Sequence, residues 1–240
     1  MIERLDKRGA EDLRPIVIQR GFVKSALGSC LYTQGKTKVL AVTSLEESVP
    51  PFLKGKGEGW LTAEYRLLPY SCDIRVNRDK ISGRTLEIQR LIGRSLRACV
   101  DLKVLGERTL WIDCDVIQAD GGTRTASINA GFISLVECLH TLKKKKMVKR
   151  SPLIDFVGAV SVGIWKGKVI VDLNYSEDAD AEVDFNIVMT GRGEFVEIQG
   201  TAEKEPFSKK VFSKLVEAAE EAIRKIISLE RSSLEGIIEL

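Results

Sequence analysis

Histidine is nearly missing from this chain, with His140 its only one. A metal centre built on several imidazoles is therefore excluded, and a Ser-His-Asp or Cys-His mechanism would have to run through that single residue. Cys30, Cys72, Cys99, Cys114 and Cys138 are scattered with no CxxC spacing, so neither a zinc knuckle nor a disulfide framework is suggested. An odd number of cysteines, behind an N-terminus (MIERLDKRGAEDLRP) without a signal peptide's apolar centre, points to reduced thiols in the cytoplasm. No apolar run approaches the length of a membrane span. There is no linker and no low-complexity tract. Both GxGxxG and the GxxxxGKS/T phosphate loop are absent, which makes a nucleotide-dependent kinase or oxidoreductase a remote reading.

What is present is the profile of a soluble globular protein. The chain has 240 residues, 30% charged and 44% hydrophobic, with ample length for a core. Its net charge of +3 is unevenly spread. Basic residues dominate between Arg66 and Arg97 and again from Lys143 to Arg150, whereas acids dominate after Glu177. A basic patch suits a phosphate-rich partner, although a solvated helix end explains the lysine run equally well.

The stretch with the most chemistry is Arg108–Phe132, RTLWIDCDVIQADGGTRTASINAGF. It reads as a strand, two glycines, and a helix beginning at Thr123, Arg124 and Thr125. A helix start leaves about four N–H groups unpartnered at the positive end of the dipole. Gly121 and Gly122 would let an anion approach that backbone, and an arginine could grip it with two prongs. The alternative is a plain turn with hydroxyl caps. The helix that follows is almost entirely apolar or small and is expected to be buried on most sides.

Strands are expected near Pro15–Arg20, Ser29–Thr33, Thr37–Ser44 and Trp60–Leu68, with Gly35 marking a hairpin, and an exposed loop from Pro69 to Ser82. Gly83–Lys103 has helical periodicity, with Ile88, Leu91, Ile92, Ser95, Cys99 and Leu102 on one arc and Glu87, Arg90, Arg94 and Arg97 on another. Arg84 falls on the apolar arc, so it is expected to point inward and to need an anion, either a carboxylate or a bound phosphate. Strands Phe156–Ile164 and Val169–Asn174 follow, joined at Lys166-Gly167. Asp180–Thr190 then alternates, with Asp180, Glu182, Asp184 and Asn186 on one face, joined by Asp178 if the extended geometry reaches back. That acidic face either meets water or holds a divalent cation. A strand Glu194–Gly200 and an amphipathic helix Ser208–Ser228 complete the chain. The order of elements predicts an α+β protein and hints at two related halves.

The residues also resemble the ribonuclease PH family over essentially the whole length. The resemblance rests on LRP (13–15), GKGEGW with LTAEY (55–65), SGRTLEIQRLIGRSLRACVDL (82–102), GERTLWIDCDVIQADGGTRTAS (106–127), DLNYSED (172–178), AEVDFN (181–186) and MTGRGEFVEIQGT (189–201). It implies a ribosomal protein S5 domain 2-like, ribonuclease PH fold, with residues 1–240 as one such domain, and a homohexamer built as a trimer of dimers. The implied reaction is phosphorolytic trimming of tRNA precursors and other RNA 3′ ends. Inorganic phosphate is the co-substrate and nucleoside diphosphates are released. On the matching positions Arg84, Gly122, Thr123 and Arg124 would bind phosphate. Asp178 and Asp184 would be catalytic, through Mg²⁺, and Arg75, Arg78, Arg90 and Arg94 would contact RNA. The alternative within the same fold is a catalytically inactive RNA-binding subunit of an exosome-like ring, against which the retention of Arg84, Arg124, Asp178 and Asp184 argues. The chain departs from the family pattern in three places. Asp6-Lys7-Arg8 stands for the usual Asp-Gly-Arg, Tyr70 for an arginine, and the loop up to Ile81 is several residues short. Basic residues of that loop are expected to serve RNA grip and ring assembly.

Overall fold

Alternating apolar residues build a five-stranded sheet whose inner face is closed by a buried helix. In the computed structural model, which describes residues 4, 6–77 and 82–238, this sheet contains β1 (Ile16–Arg20), β2 (Gly28–Gln34), β3 (Thr37–Glu46), β4 (Trp60–Leu67) and β5 (Thr109–Gln118). The spatial order is β1-β2-β3-β5-β4, with β4 and β5 parallel and the other neighbours antiparallel. The expected hairpin at Gly35 joins β2 to β3, and Gly35 takes the left-handed φ of +60° that a side chain would resist.

Helix α1 (Gly83–Arg97) lies along β4, and α3 (Thr123–Lys144) crosses the inner face over β2 and β3. Residues Thr125 to Val136 of α3 are all buried, as its apolar composition on every side requires. Gly28 makes the close crossing possible, since a Cβ there would lie 2.1 Å from the Ser134 carbonyl oxygen. Two polar side chains on α3 are satisfied within the core. Asn129 exchanges hydrogen bonds with the Ala159 backbone, and the Ser134 hydroxyl pairs with that of Thr43.

The far side of α3 rests on a second sheet of β6 (Val157–Trp165), β7 (Lys168–Val171), β8 (Val183–Thr190) and β9 (Phe195–Ala202), ordered β7-β6-β8-β9 and antiparallel throughout. Helix α5 (Lys209–Ser233) covers its opposite face. A sheet covered on both sides needs apolar residues at successive positions, and β6 reads VGAVSVGIW for that reason. Val157 and Ala159 belong to the first core, while Val160 and Val162 join Phe185, Ile187, Leu215 and Ile223 in the second. Each fully buried aliphatic side chain of this kind contributes about 1.5–3 kcal/mol.

Three expectations are corrected. The helix anticipated over Gly83–Lys103 ends at Arg97, because Val100 pairs across to Leu153 and Asp101 starts a separate turn, α2 (Leu102–Leu105), by accepting from the Lys103 N–H. The extended geometry of β8 does not reach back to Asp178, which lies in a short helix, α4 (Tyr175–Ala179). Asn174 and Glu177 close a reciprocal capping box there and turn the backbone out of the strand. Arg84 is exposed rather than inward, because the buried face of α1 begins only at Ile88, one turn further on.

Candidate active site

The two glycines before α3 are held in left-handed conformations, φ +73° at Gly121 and +62° at Gly122. Gly122 is the N-cap, and no side chain caps the first N–H groups of the helix. The plain reading of hydroxyl caps is thereby set aside. Thr125 Oγ1 donates to the Gly122 carbonyl, and the Thr123 hydroxyl accepts from Tyr65 at 2.9 Å. The uncapped N–H groups of a long, buried, rigid helix remain available to an anion.

Arg124 stands in the first turn of α3 and Arg84 in the first turn of α1, where Ser82 caps the helix by accepting from the Thr85 N–H. Among the described residues neither arginine is engaged in an ion pair. Both guanidinium charges act on Tyr65 and on Asp178, so both arginines lie within electrostatic reach of the same two side chains.

The carboxylates come from the side of the second sheet. Asp178 sits in α4 and Asp184 is the second residue of β8. Burial raises the Asp178 carboxyl above its usual range, with Arg84 and Arg124 opposing and Glu203 adding to the rise. Burial pushes Asp184 up to about 6, the charge of Asp178 adds to this, and Arg124 opposes it. One oxygen of Asp184 accepts weakly from Asn186 at 3.4 Å, while the other, Oδ1, is buried without a partner among the described residues. Among the described residues no cluster of three or more His, Cys, Asp or Glu is arranged to hold a metal. The site therefore offers two mutually repelling carboxylates, one with an orphaned oxygen, facing two uncommitted arginines.

The acidic row expected along β8 is divided by its neighbours. Asp180 pairs with Lys204 at 3.0 Å, and Glu182 accepts from the Gly167 N–H at 2.9 Å, which leaves Asp184 as that row's contribution to the site. Arg75 and Arg90 are exposed, and Arg94 is bound to Glu197 on β9 at 2.5 Å. Arg78 lies outside the described residues. A cleft of about 600 Å³, lined by Arg66, Pro69, Val76, Ser82, Thr85 and Asp115 among others, reaches the start of α1 and is not lined by Asp178 or Asp184.

Three residues given no role from sequence belong to this arrangement. Tyr65 orients Thr123, Glu203 adds negative charge beside the aspartates, and Arg14 lies beneath the glycine turn. Tyr65 and Arg14 fall within the LTAEY and LRP segments, so position in a motif was their only signal.

A layered α+β protein with two arginines at helix starts, set against a carboxylate pair, has groups suited to phosphoryl chemistry. The chain belongs to the 3′ exoribonuclease family, whose domain 1 model matches residues 12–139 and domain 2 model residues 155–222. It is 52% identical over 237 residues to ribonuclease PH of Syntrophomonas wolfei, covering 97% of this chain and 99% of that protein. Two solved structures share the fold. One is a chain of the Archaeoglobus fulgidus exosome with RNA bound to the active site, with TM-score 0.83, 20% identity and coverage of 95% of this chain and 92% of that one. The other is rice (Oryza sativa) Rrp46, with TM-score 0.77, 21% identity and coverage of 97% and 100%.

Proposed function

We infer that this protein is a phosphorolytic 3′-to-5′ exoribonuclease, a tRNA nucleotidyltransferase that trims the 3′ ends of tRNA precursors with inorganic phosphate as nucleophile. The observation that carries the reading is that Arg84 and Arg124, each in the first turn of a helix, both act on Asp178, while Arg124 also acts on Asp184. The arginines and the helix N–H groups hold and orient phosphate, with the Thr123 hydroxyl positioned by Tyr65. A phosphate oxygen forms a bond to the terminal phosphorus as the bond to the 3′ oxygen breaks. The electron pair leaves on that oxygen, which is then protonated, and a nucleoside 5′-diphosphate departs. Orientation of a bound nucleophile can supply several kcal/mol of barrier lowering, up to roughly 7–11. Phosphate is already anionic at neutral pH, so no histidine base is required.

Asp178 and Asp184 fit Mg²⁺, a hard cation commonly held by one or two carboxylates with water and substrate phosphate completing its shell. The unpartnered Oδ1 of Asp184 supports this assignment. When bound, Mg²⁺ offsets charge developing on the scissile phosphoryl group and the leaving oxygen. Arg75, Arg78 and Arg90 suit contact with the RNA backbone, and Arg94 does so only in competition with Glu197. The family resemblance implies a homohexamer built as a trimer of dimers, and the exposed apolar side chains of Val17, Trp111 and Ile117 on the first sheet offer surface for self-association. A cytoplasmic setting is supported by five free cysteines.

The test is incubation of a tRNA bearing extra 3′ nucleotides with and without phosphate. Nucleoside diphosphates should appear only when phosphate is present, and Arg84→Ala or Arg124→Ala should raise the phosphate requirement by about 10²-fold or more without unfolding the chain. Release of monophosphates, or normal turnover at low phosphate in both variants, would overturn the assignment.

A further inference from the structure

The phosphate half and the carboxylate half of the site come from different sheets, so something must set their separation. Arg14 lies at the junction, with its side chain 4% exposed. Its guanidinium donates to the Asp120 carbonyl and, at 3.4 Å, to the Gly121 carbonyl, both in the turn that opens α3. The same group donates from Nη2 and Nε to the Asp172 carboxylate at 2.7 and 3.1 Å, and its backbone N–H donates to Asp172 at 2.7 Å. Asp172 follows β7 and precedes α4, and it is only 1% exposed. Burial alone would raise its carboxyl, but the Arg14 charge overrides this and holds it below the usual range.

Two further features tie the same pieces together. A Cβ on Gly121 would lie 2.5 Å from the Leu173 carbonyl oxygen and 2.8 Å from the Tyr175 nitrogen, so the glycine turn is pressed directly onto the start of α4. Arg4, itself 1% exposed, makes a two-pronged pair with Glu177 inside α4 at 2.7 and 2.8 Å and also donates to the Val171 and Asp172 carbonyls. Glu177 immediately precedes Asp178.

We propose that Arg14 is a positioning residue for phosphorolysis, a buried latch that sets the distance between the phosphate-binding turn at 120–122 and the helix carrying Asp178. The proposal rests on the functional reading above. A salt bridge serving only stability would need none of the contacts to the Asp120 and Gly121 carbonyls. Their effect is to make the placement of Gly122, Thr123 and Arg124 depend on the same guanidinium that fixes Asp172. Lysine keeps the charge but cannot hold both sides at once with a planar fork.

The test compares wild type with Arg14→Lys, and with Asp172→Asn as a second variant of the same latch, on full-length protein well below the melting temperature and corrected for folded fraction. Three quantities are read: kcat and KM for phosphate in the release of diphosphates, the rise in melting temperature produced by inorganic phosphate, and affinity for a fluorescent 3′-tailed RNA without phosphate. The expected result is a loss of about 10- to 100-fold in kcat/KM for phosphate, as misplacement of a reacting group costs. The phosphate-induced thermal shift should shrink and RNA affinity should stay within about twofold, since the groups moved act on the nucleophile. A folded variant whose phosphate kinetics and thermal shift both match wild type would overturn the proposal, as would an equal loss of RNA affinity. Wild type that releases no diphosphates would refute the functional reading instead, and the phosphate thermal shift would still report on the latch.

Discussion

Asp184 places the requirements of function against those of stability. Its folded pKa of about 6 lies above the ordinary 3.8 because burial and the neighbouring Asp178 charge disfavour ionisation. A carboxyl whose folded pKa is raised adds stability that is fully present below the unfolded value and is lost as pH rises through the folded one. Near pH 7 the charged pair therefore works against the fold, by something on the order of 1–3 kcal/mol. Asp184→Asn keeps the shape and removes the repulsion. It should abolish turnover while raising the melting temperature at pH 7.5 in chelator, with the gain fading towards pH 4. A purely structural carboxylate would give the opposite stability result, and calorimetry across that pH range separates the two. Two of the positions at which the chain departs from the pattern it resembles also carry backbone strain. Lys7 stands where the family has glycine, and its φ is +63°, a conformation that glycine adopts without strain. Tyr70 has φ +61° in a turn closed by the Ser71 N–H on the Leu68 carbonyl, so neither replacement is relieved by a change of backbone.

At the scale of elements, what could be read from sequence depended on whether the cause was local. The period of α1, the alternation in β8 and the apolar surface of α3 each follow from which of the element's own side chains are buried, and they were legible. The break between α1 and α2 was not, because it depends on Val100 meeting Leu153, a pairing between distant segments. Helix α4 could have been found, since Asn174 and Glu177 have the spacing of a capping box within DLNYSED, but the alternation downstream suggested extended chain. Arg84 shows the limit of angular reasoning, because a position on the apolar arc is buried only where a core lies beneath it. Helix α5 holds a further group that the pattern could have revealed. Glu230 falls on the stripe of Ala219, Ile223 and Ile226 and is 0% exposed, with no partner for either carboxyl oxygen among the described residues. Burial drives its pKa well above 4.5. It faces Cys30 and Tyr32 of β2 and Cys99 beyond α1, none of which offers a positive charge. The stability associated with Glu230 is greatest below pH 4.5 and declines by about 1.4 kcal/mol per pH unit above it. Glu230→Met, similar in volume and apolar, should therefore stabilise the protein by a few kcal/mol at pH 8 and much less at pH 4.5. Denaturant unfolding at the two pH values is the check, and equal effects at both would show that the carboxyl has a partner in solution.

At the scale of the whole molecule, the proposed phosphate site is small while RNA is a large polyanion, and the exposed Tyr70 gives a way to probe how the chain grips it. Tyr70 is 72% exposed in the loop after β4, it follows Pro69 of the cleft that reaches Ser82 and Thr85, and Arg75 of the same loop is exposed as well. Where the family carries a cation, this chain presents an aromatic face, and the two grip RNA by different physics. A cation releases counterions, and each phosphate contact on a single strand contributes about 0.7 to the slope of log affinity against log salt. An aromatic stacks on an unpaired base, worth roughly 1–3 kcal/mol and nearly independent of salt. With the ring exposed and the loop shortened, stacking on the 3′ end is the expected mode. Tyr70→Ala should weaken binding of a 3′-tailed tRNA by about 5- to 100-fold with an unchanged salt slope. Tyr70→Arg should steepen that slope by about 0.7 and tighten binding mainly at low salt. Fluorescence anisotropy over a series of KCl concentrations measures both, and sedimentation must run beside it because the loop is also a candidate for ring contacts. If affinity and slope stay constant in both variants while the sedimenting mass falls from that of the assembly towards the 26.6 kDa chain, the loop serves assembly and Tyr70 does not touch RNA.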